Sequence, residues 1–141
     1  MEPRAFLDLA DLLSKGKTPA EYRTAVSRAY YSLYNAGVKA LEKMGFIIKT
    51  DHKGHTQVQH YLNNAGEAEL SQVSSQLSSL QTKRNKADYR LADVEIENQR
   101  IALAAVSQAT RMVQLLERCT AGPNRTAIIQ AIADYRLKTN Q

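Results

Sequence analysis

Between Leu70 and Leu91 the chain reads LSQVSSQLSSLQTKRNKADYRL, with apolar residues returning at alternating steps of three and four. Leu70, Val73, Leu77, Leu80, Ala87 and Leu91 thus fall on one side of a long amphipathic helix, expected over about 67–91. Such a seam has to be covered by other helices. One seam position is not apolar: Arg84 stands between Leu80 and Ala87. Its guanidinium keeps its charge at any ordinary pH, so in an apolar seam it needs a partner or a water-lined cavity. Asp88, four residues on, and the adjacent Asn85 can receive it. Two readings follow. Arg84 and Asp88 form a structural ion pair where the seam reaches the surface, or Arg84 lies at the floor of a cleft.

The covering helices are legible on either side. Glycine and proline are sparse, six and three in 141 residues, and residues that favour helices are plentiful. Residues 4–14 make a short amphipathic helix offering Phe6, Leu9, Leu12 and Leu13 for burial, with Gly16 placed for a left-handed cap. Thr18-Pro19-Ala20-Glu21 starts a second helix with a capping box and a proline in its first turn. It runs to about Met44 on a stripe of Tyr22, Val26, Ala29, Tyr30, Leu33, Gly37, Leu41 and Met44, and Gly37 invites close packing of another helix. A connector over 46–54 leads to a short helix with Val58, Tyr61 and Leu62. A helix over about 94–119 buries Ile101, Ala104, Ala105, Ala109, Met112, Val113, Leu116 and Cys119, and Gly122-Pro123 breaks it. Asn124 is placed to cap a last helix over about 125–137, with Ile128, Ile129, Ile132 and Tyr135 inward. The expected fold is an all-α, up-and-down four-helix-type bundle with short additional helices, one domain over 1–141. Three long helices and the terminal one form it.

The lone Cys119 excludes an internal disulfide and reads as a buried, inert thiol in a reducing compartment. No apolar run approaches a membrane span and Met1-Glu2-Pro3 does not begin a secretory signal, so a cytoplasmic protein without membrane contact is expected. A net charge of +5 permits an acidic partner such as RNA and equally serves solubility. His52, His55 and His60 fall within nine residues. They lack a partnering cysteine and a recognisable oxygen set, so neither a metal nor any other cofactor is expected. A phosphate or RNA contact by His52, Lys53 or His55 fits better, and a solvated loop is the simplest reading. Tyr30, Tyr31 and Tyr34 cannot all be buried by one helix face. Tyr30 reads as core, while Tyr31 and Tyr34 are open to a ligand or an interface.

Three stretches together resemble one family: Ser27-Arg28-Ala29-Tyr30-Tyr31-Ser32-Leu33-Tyr34-Asn35-Ala36, then His52-Lys53-Gly54, then Arg84-Asn85-Lys86-Ala87-Asp88-Tyr89. Their order is similar to the small stand-alone branch of the HEPN (higher eukaryotes and prokaryotes nucleotide-binding) superfamily, over roughly residues 20–119. The resemblance implies a helical bundle, often a homodimer. Many members are metal-independent ribonucleases of toxin–antitoxin or other defence systems, and a minimal nucleotidyltransferase is a frequent partner. Their motif is an arginine, then a polar residue, with a histidine four to six residues further on. Arg84 and Asn85 match it, but the histidine slots hold Tyr89, Arg90 and Leu91, and Asn35 stands where the tyrosine-rich helix often carries a second histidine.

On that resemblance Arg84 takes a functional or interface role. The leading expectation is an atypical HEPN protein that binds RNA or nucleotide through Arg84, Asn85, Tyr89, Tyr31, Tyr34, His52 and Lys53, as a homodimer within a toxin–antitoxin or phage-defence system. As an enzyme it would use Arg84 to stabilise charge and Tyr89 as proton donor, or a displaced histidine such as His52 or His55. Tyrosine is a poor base near neutral pH, so weak or no ribonuclease activity is expected. The third alternative is a structural docking partner of a nucleotidyltransferase.

Overall fold

The structure is a computed structural model that describes residues 1–140. It contains six α-helices, α1 (Pro3–Ser14), α2 (Pro19–Lys43), α3 (Lys53–Asn63), α4 (Ala68–Tyr89), α5 (Gln99–Ala121) and α6 (Arg125–Thr139), plus one 3₁₀ turn at Val94–Ile96. No strand occurs among the described residues. The all-α bundle expected from the pattern is present.

The α4 seam explains the packing. Leu70, Val73, Leu77 and Leu80 are fully buried and Ala87 nearly so, within one apolar cluster shared with α2 and α5. Polar contacts fix the directions. Lys39 near the end of α2 pairs with Glu2 ahead of α1. Arg23 near the start of α2 reaches the end of α4. Arg4 pairs with Glu117 at 2.7 Å, while Gln99 Nε2 donates to the Ser14 carbonyl at 3.2 Å. Thus α1 and α4 run opposite to α2 and α5, up, down, up, down. The Arg4–Glu117 pair is half exposed, so it marks this geometry more than it stabilises it.

Several local expectations need correction. The fourth bundle helix is α1, and the terminal helix α6 instead packs on α3 and α5. Helix α1 buries Leu7, Ala10 and Ser14, leaving Leu9 and Leu12 exposed. The small Ala10 and Ser14 let neighbouring helices approach closely, and the Ser14 hydroxyl is satisfied by the Asp11 carbonyl at 2.7 Å. Gly16 is not left-handed. A Cβ there would sit 2.1 Å from a Glu21 carboxylate oxygen, so Gly16 makes room for the capping box that starts α2. On α5 the buried face takes Ala102 and Val106 while Ala104 is exposed. That helix starts at Gln99 rather than 94, because Val94–Ile96 forms the 3₁₀ turn. Asn124 precedes α6 without a side-chain cap. Its neighbour Arg125 instead caps two other helix ends, donating to the Thr120 and Lys43 carbonyls at 3.0 Å each. Leu91 lies beyond the end of α4 and is 75% exposed.

Other expectations hold. The Thr18–Glu21 capping box forms. A Cβ on Gly37 would meet Val58 Cγ1 at 2.9 Å, the close approach of α3 that glycine there permits. No helix among the described residues is long and apolar enough to cross a membrane.

Candidate anion-binding site

Arg84 projects from α4 toward the tyrosine-rich face of α2. Its side chain is 15% exposed. Asp88 Oδ2 lies 2.9 Å from Arg84 Nε, yet off the direction of the N–H, which makes no directed hydrogen bond. The ion pair foreseen between them is therefore a Coulombic contact. Asp88 also accepts from the Ser27 hydroxyl at 3.0 Å, which ties α4 to α2. Both Nη atoms are left for other work. Nη2 donates to the Tyr31 hydroxyl at 2.6 Å and to the Tyr89 hydroxyl at 2.9 Å, and Nη1 donates to Asn85 Oδ1 at 3.1 Å.

The guanidinium also lies against both rings, 5.1 Å from the Tyr31 centroid and 4.9 Å from that of Tyr89. Arg28, one turn before Tyr31, places its own guanidinium 4.9 Å from the Tyr31 centroid and 5.3 Å from Phe6. Burial alone would lower the Arg84 pKa. Tyr31, Tyr89 and Asp88 outweigh it and hold the group more firmly charged.

His55 joins this cluster from the first turn of α3. Its ring stacks on Tyr34 with centroids 4.3 Å apart and planes 9° from parallel, and its Nδ1 hydrogen-bonds the Tyr30 hydroxyl. Burial pushes the Tyr30 phenol pKa up, helped by Tyr34 and Tyr31, and burial likewise raises that of Tyr34. Tyr30 thus keeps its proton, and its buried O–H has no other acceptor. The tautomer that satisfies it has Tyr30 donating to Nδ1, which puts the imidazole proton on Nε2. Nε2 makes no hydrogen bond within the protein and is not shut off from solvent. Burial first, then Arg84 and His52, lower the His55 pKa and favour the neutral ring.

That shift carries a pH dependence. Below the ordinary histidine value of roughly 6.5 the unfolded chain takes up a proton that folded His55 resists. His55 therefore costs stability as pH falls through that value, until the lower folded pKa is passed. The urea midpoint of wild type should drop more between pH 7.5 and pH 5 than that of His55→Gln. Equal drops would assign the dependence elsewhere.

The residues expected at a site divide into two groups. Arg84, Asn85, Tyr89, Tyr31 and Tyr34 come together with His55, the histidine named beside His52, and Arg28 and Tyr30 are added. His52 and Lys53 do not join them. They line a separate cavity of about 290 Å³ with Lys49, Thr56, Gln57 and His60. The Lys53 amide there is satisfied by Asp51 at 3.0 Å. Among the described residues no three His, Cys, Asp or Glu side chains gather as metal ligands. A larger cavity, about 530 Å³, lies between the ends of α1, α2, α5 and α6. Its charges are mostly spent in the Arg4–Glu117 and Lys39–Glu2 pairs and the Arg125 caps, unlike the donors around Arg84.

His55 is on a helix and stacked, which corrects the solvated-loop reading for that residue. Its spacing to Arg84 in sequence carries no signal. Only the Gly54 step, which lets α3 press on Tyr34, hints at it. Comparison with family models, curated proteins and solved structures finds no match.

Proposed function

We propose that this protein is an atypical HEPN-type module that binds the phosphate backbone of RNA on the Arg84 face. The observation that carries this is the set of unspent donors around Arg84. Tyr31 and Tyr89 both accept from its Nη2, so each keeps its own O–H for a ligand. One Nη1 N–H is also unspent, since only Asn85 takes from that nitrogen. Three donors beside a permanent cation suit phosphate oxygens, and Arg28 adds a second positive charge on the same tyrosine. The quoted HEPN-like stretches supply the family reading. A homodimer with α4 near its two-fold axis fits the exposed Tyr89, Leu91 and Val94 beside the site. A toxin–antitoxin or defence setting, with a nucleotidyltransferase as partner, rests on the resemblance alone.

Cleavage is the second reading, and His55 is the observation that favours it, since an imidazole does reach the cluster. Attack by the 2′-hydroxyl needs a base, however, and the outward Nε2 of His55 carries a proton in the tautomer that satisfies Tyr30. His55 then offers a ligand a hydrogen bond rather than a lone pair. Binding is favoured over catalysis.

The test is anisotropy of a labelled single-stranded RNA across a salt series, with product analysis on the same samples. Affinity should fall steeply with salt, because each neutralised phosphate releases a counterion. The RNA should stay intact. Salt-insensitive binding would contradict the reading, and robust cleavage lost in His55→Ala would replace it with the ribonuclease.

A further inference from the structure

Arg23, in the second turn of α2, is a buried charge, only 8% exposed. Its Nη1 donates to the carbonyls of Lys86, Ala87 and Arg90 at 3.1, 3.0 and 3.3 Å. Its Nη2 donates to the carbonyls of Leu91 and Asp93 at 3.2 and 2.9 Å, and to the Glu97 carboxylate at 3.2 Å. Four Nη hydrogens are thus shared among six acceptors. The last carbonyls of a helix lack partners within it. Helix α4 ends at Tyr89 with no glycine and no left-handed residue, and two of its four terminal carbonyls, those of Lys86 and Ala87, are met by this side chain from another helix.

Little else holds the segment after α4. Leu91 and Val94 are exposed, and Ile96 is its one buried residue. Tyr89 is the last residue of α4, 70% exposed, and its hydroxyl has one protein contact, Arg84 Nη2. Whether that hydroxyl stands against Arg84 is decided by where the backbone at 86–91 lies, and Arg23 grips that backbone.

We propose that Arg23 is a positioning residue: by capping α4 and pinning residues 90–97 it holds Tyr89 against Arg84. It touches no ligand and acts only through Tyr89. Its role in RNA affinity rests on the proposed function, while its hold on Tyr89 does not. Lysine keeps the charge but has one nitrogen, which cannot span carbonyls from Lys86 to Asp93.

The experiment compares wild type, Arg23→Lys, Tyr89→Phe and the double variant. In Arg23→Lys, amide exchange over 90–97 should quicken by roughly tenfold or more while Leu33 and Val113 in the core keep their protection. NOEs between the Tyr89 ring and the Arg84 side chain should weaken together with it. RNA affinity should drop to the level of Tyr89→Phe, and the double variant should be no weaker than either single one, because both changes remove the same contact. Unchanged exchange and NOEs overturn the proposal. So does a full additive loss in the double variant, which would mean that Arg23 acts independently of Tyr89. Exchange that rises across the whole core assigns Arg23 to global stability and also overturns it. If wild type binds no RNA, the functional reading fails alone, and the exchange and NOE results still decide for or against Arg23.

Discussion

Gly54→Ala is expected to destabilise the protein by about 1–3 kcal/mol and to unstack His55 from Tyr34. A Cβ at Gly54 would lie 2.2 Å from the Lys49 carbonyl oxygen and 2.7 Å from the Tyr34 hydroxyl. The first of these is backbone and cannot rotate away. The added methyl therefore has to push the first turn of α3 off residue 49, and His55 is the next residue along. The loss should appear as a lower urea midpoint, and the His55 ring protons should lose the upfield shift that stacking on Tyr34 gives them. An unchanged midpoint with the stack intact would mean that the approach of α3 to Lys49 is looser than described.

Arg84→Ala should weaken RNA binding roughly ten- to hundredfold, the range expected when hydrogen bonds to a charged group are lost. It removes the cation and releases both tyrosine hydroxyls from their fixed positions. Arg84→Lys should recover little of this, since an ammonium is a point charge without the planar fork that serves Tyr31, Tyr89 and Asn85 together. The fold should survive both changes. Asp88 keeps its bond from Ser27, and the buried leucines of α4 are untouched. Affinity within twofold of wild type in Arg84→Ala, in a folded protein, would remove Arg84 from the site.

The seam of α4 was readable because its leucines repeat at the helical period and no other element could use them. The start of α2 was readable because Thr18, Pro19 and Glu21 act locally on their own backbone. Leu91 was misread for the opposite reason. It continues the period, but α4 ends at Tyr89, where Arg23, more than sixty residues away in sequence, takes the Lys86 and Ala87 carbonyls and that of Leu91 beyond them. Nothing in the local pattern carries that. The buried side of α1 was not the one expected: Leu9 and Leu12 are exposed, and the face with Leu7, Ala10 and Ser14 is inward, because large leucines lie on both sides and give the period no preference.

At the site, Arg84 stood out as a charge inside an apolar stripe, Tyr31 and Tyr34 as members of a tyrosine trio too close together to bury, and Tyr89 only through the resemblance. His55 was a candidate beside His52, but its place against Tyr34 and Tyr30 was not legible, because that contact joins two helices and is set by Gly54. His52 and Lys53 were read together with Arg84 from the resemblance, and the fold puts them in a neighbouring cavity.

The central claim is that a phosphate lands on Arg84. Arginine Nε–Hε resonances of ¹⁵N-labelled protein, followed while a short single-stranded RNA is titrated in, test it most directly. Arg84 and Arg28 should move with the first additions and saturate together, and buried Arg23 should stay in place. A titration in which the RNA binds while Arg84 stays still and only other arginines shift would contradict the account.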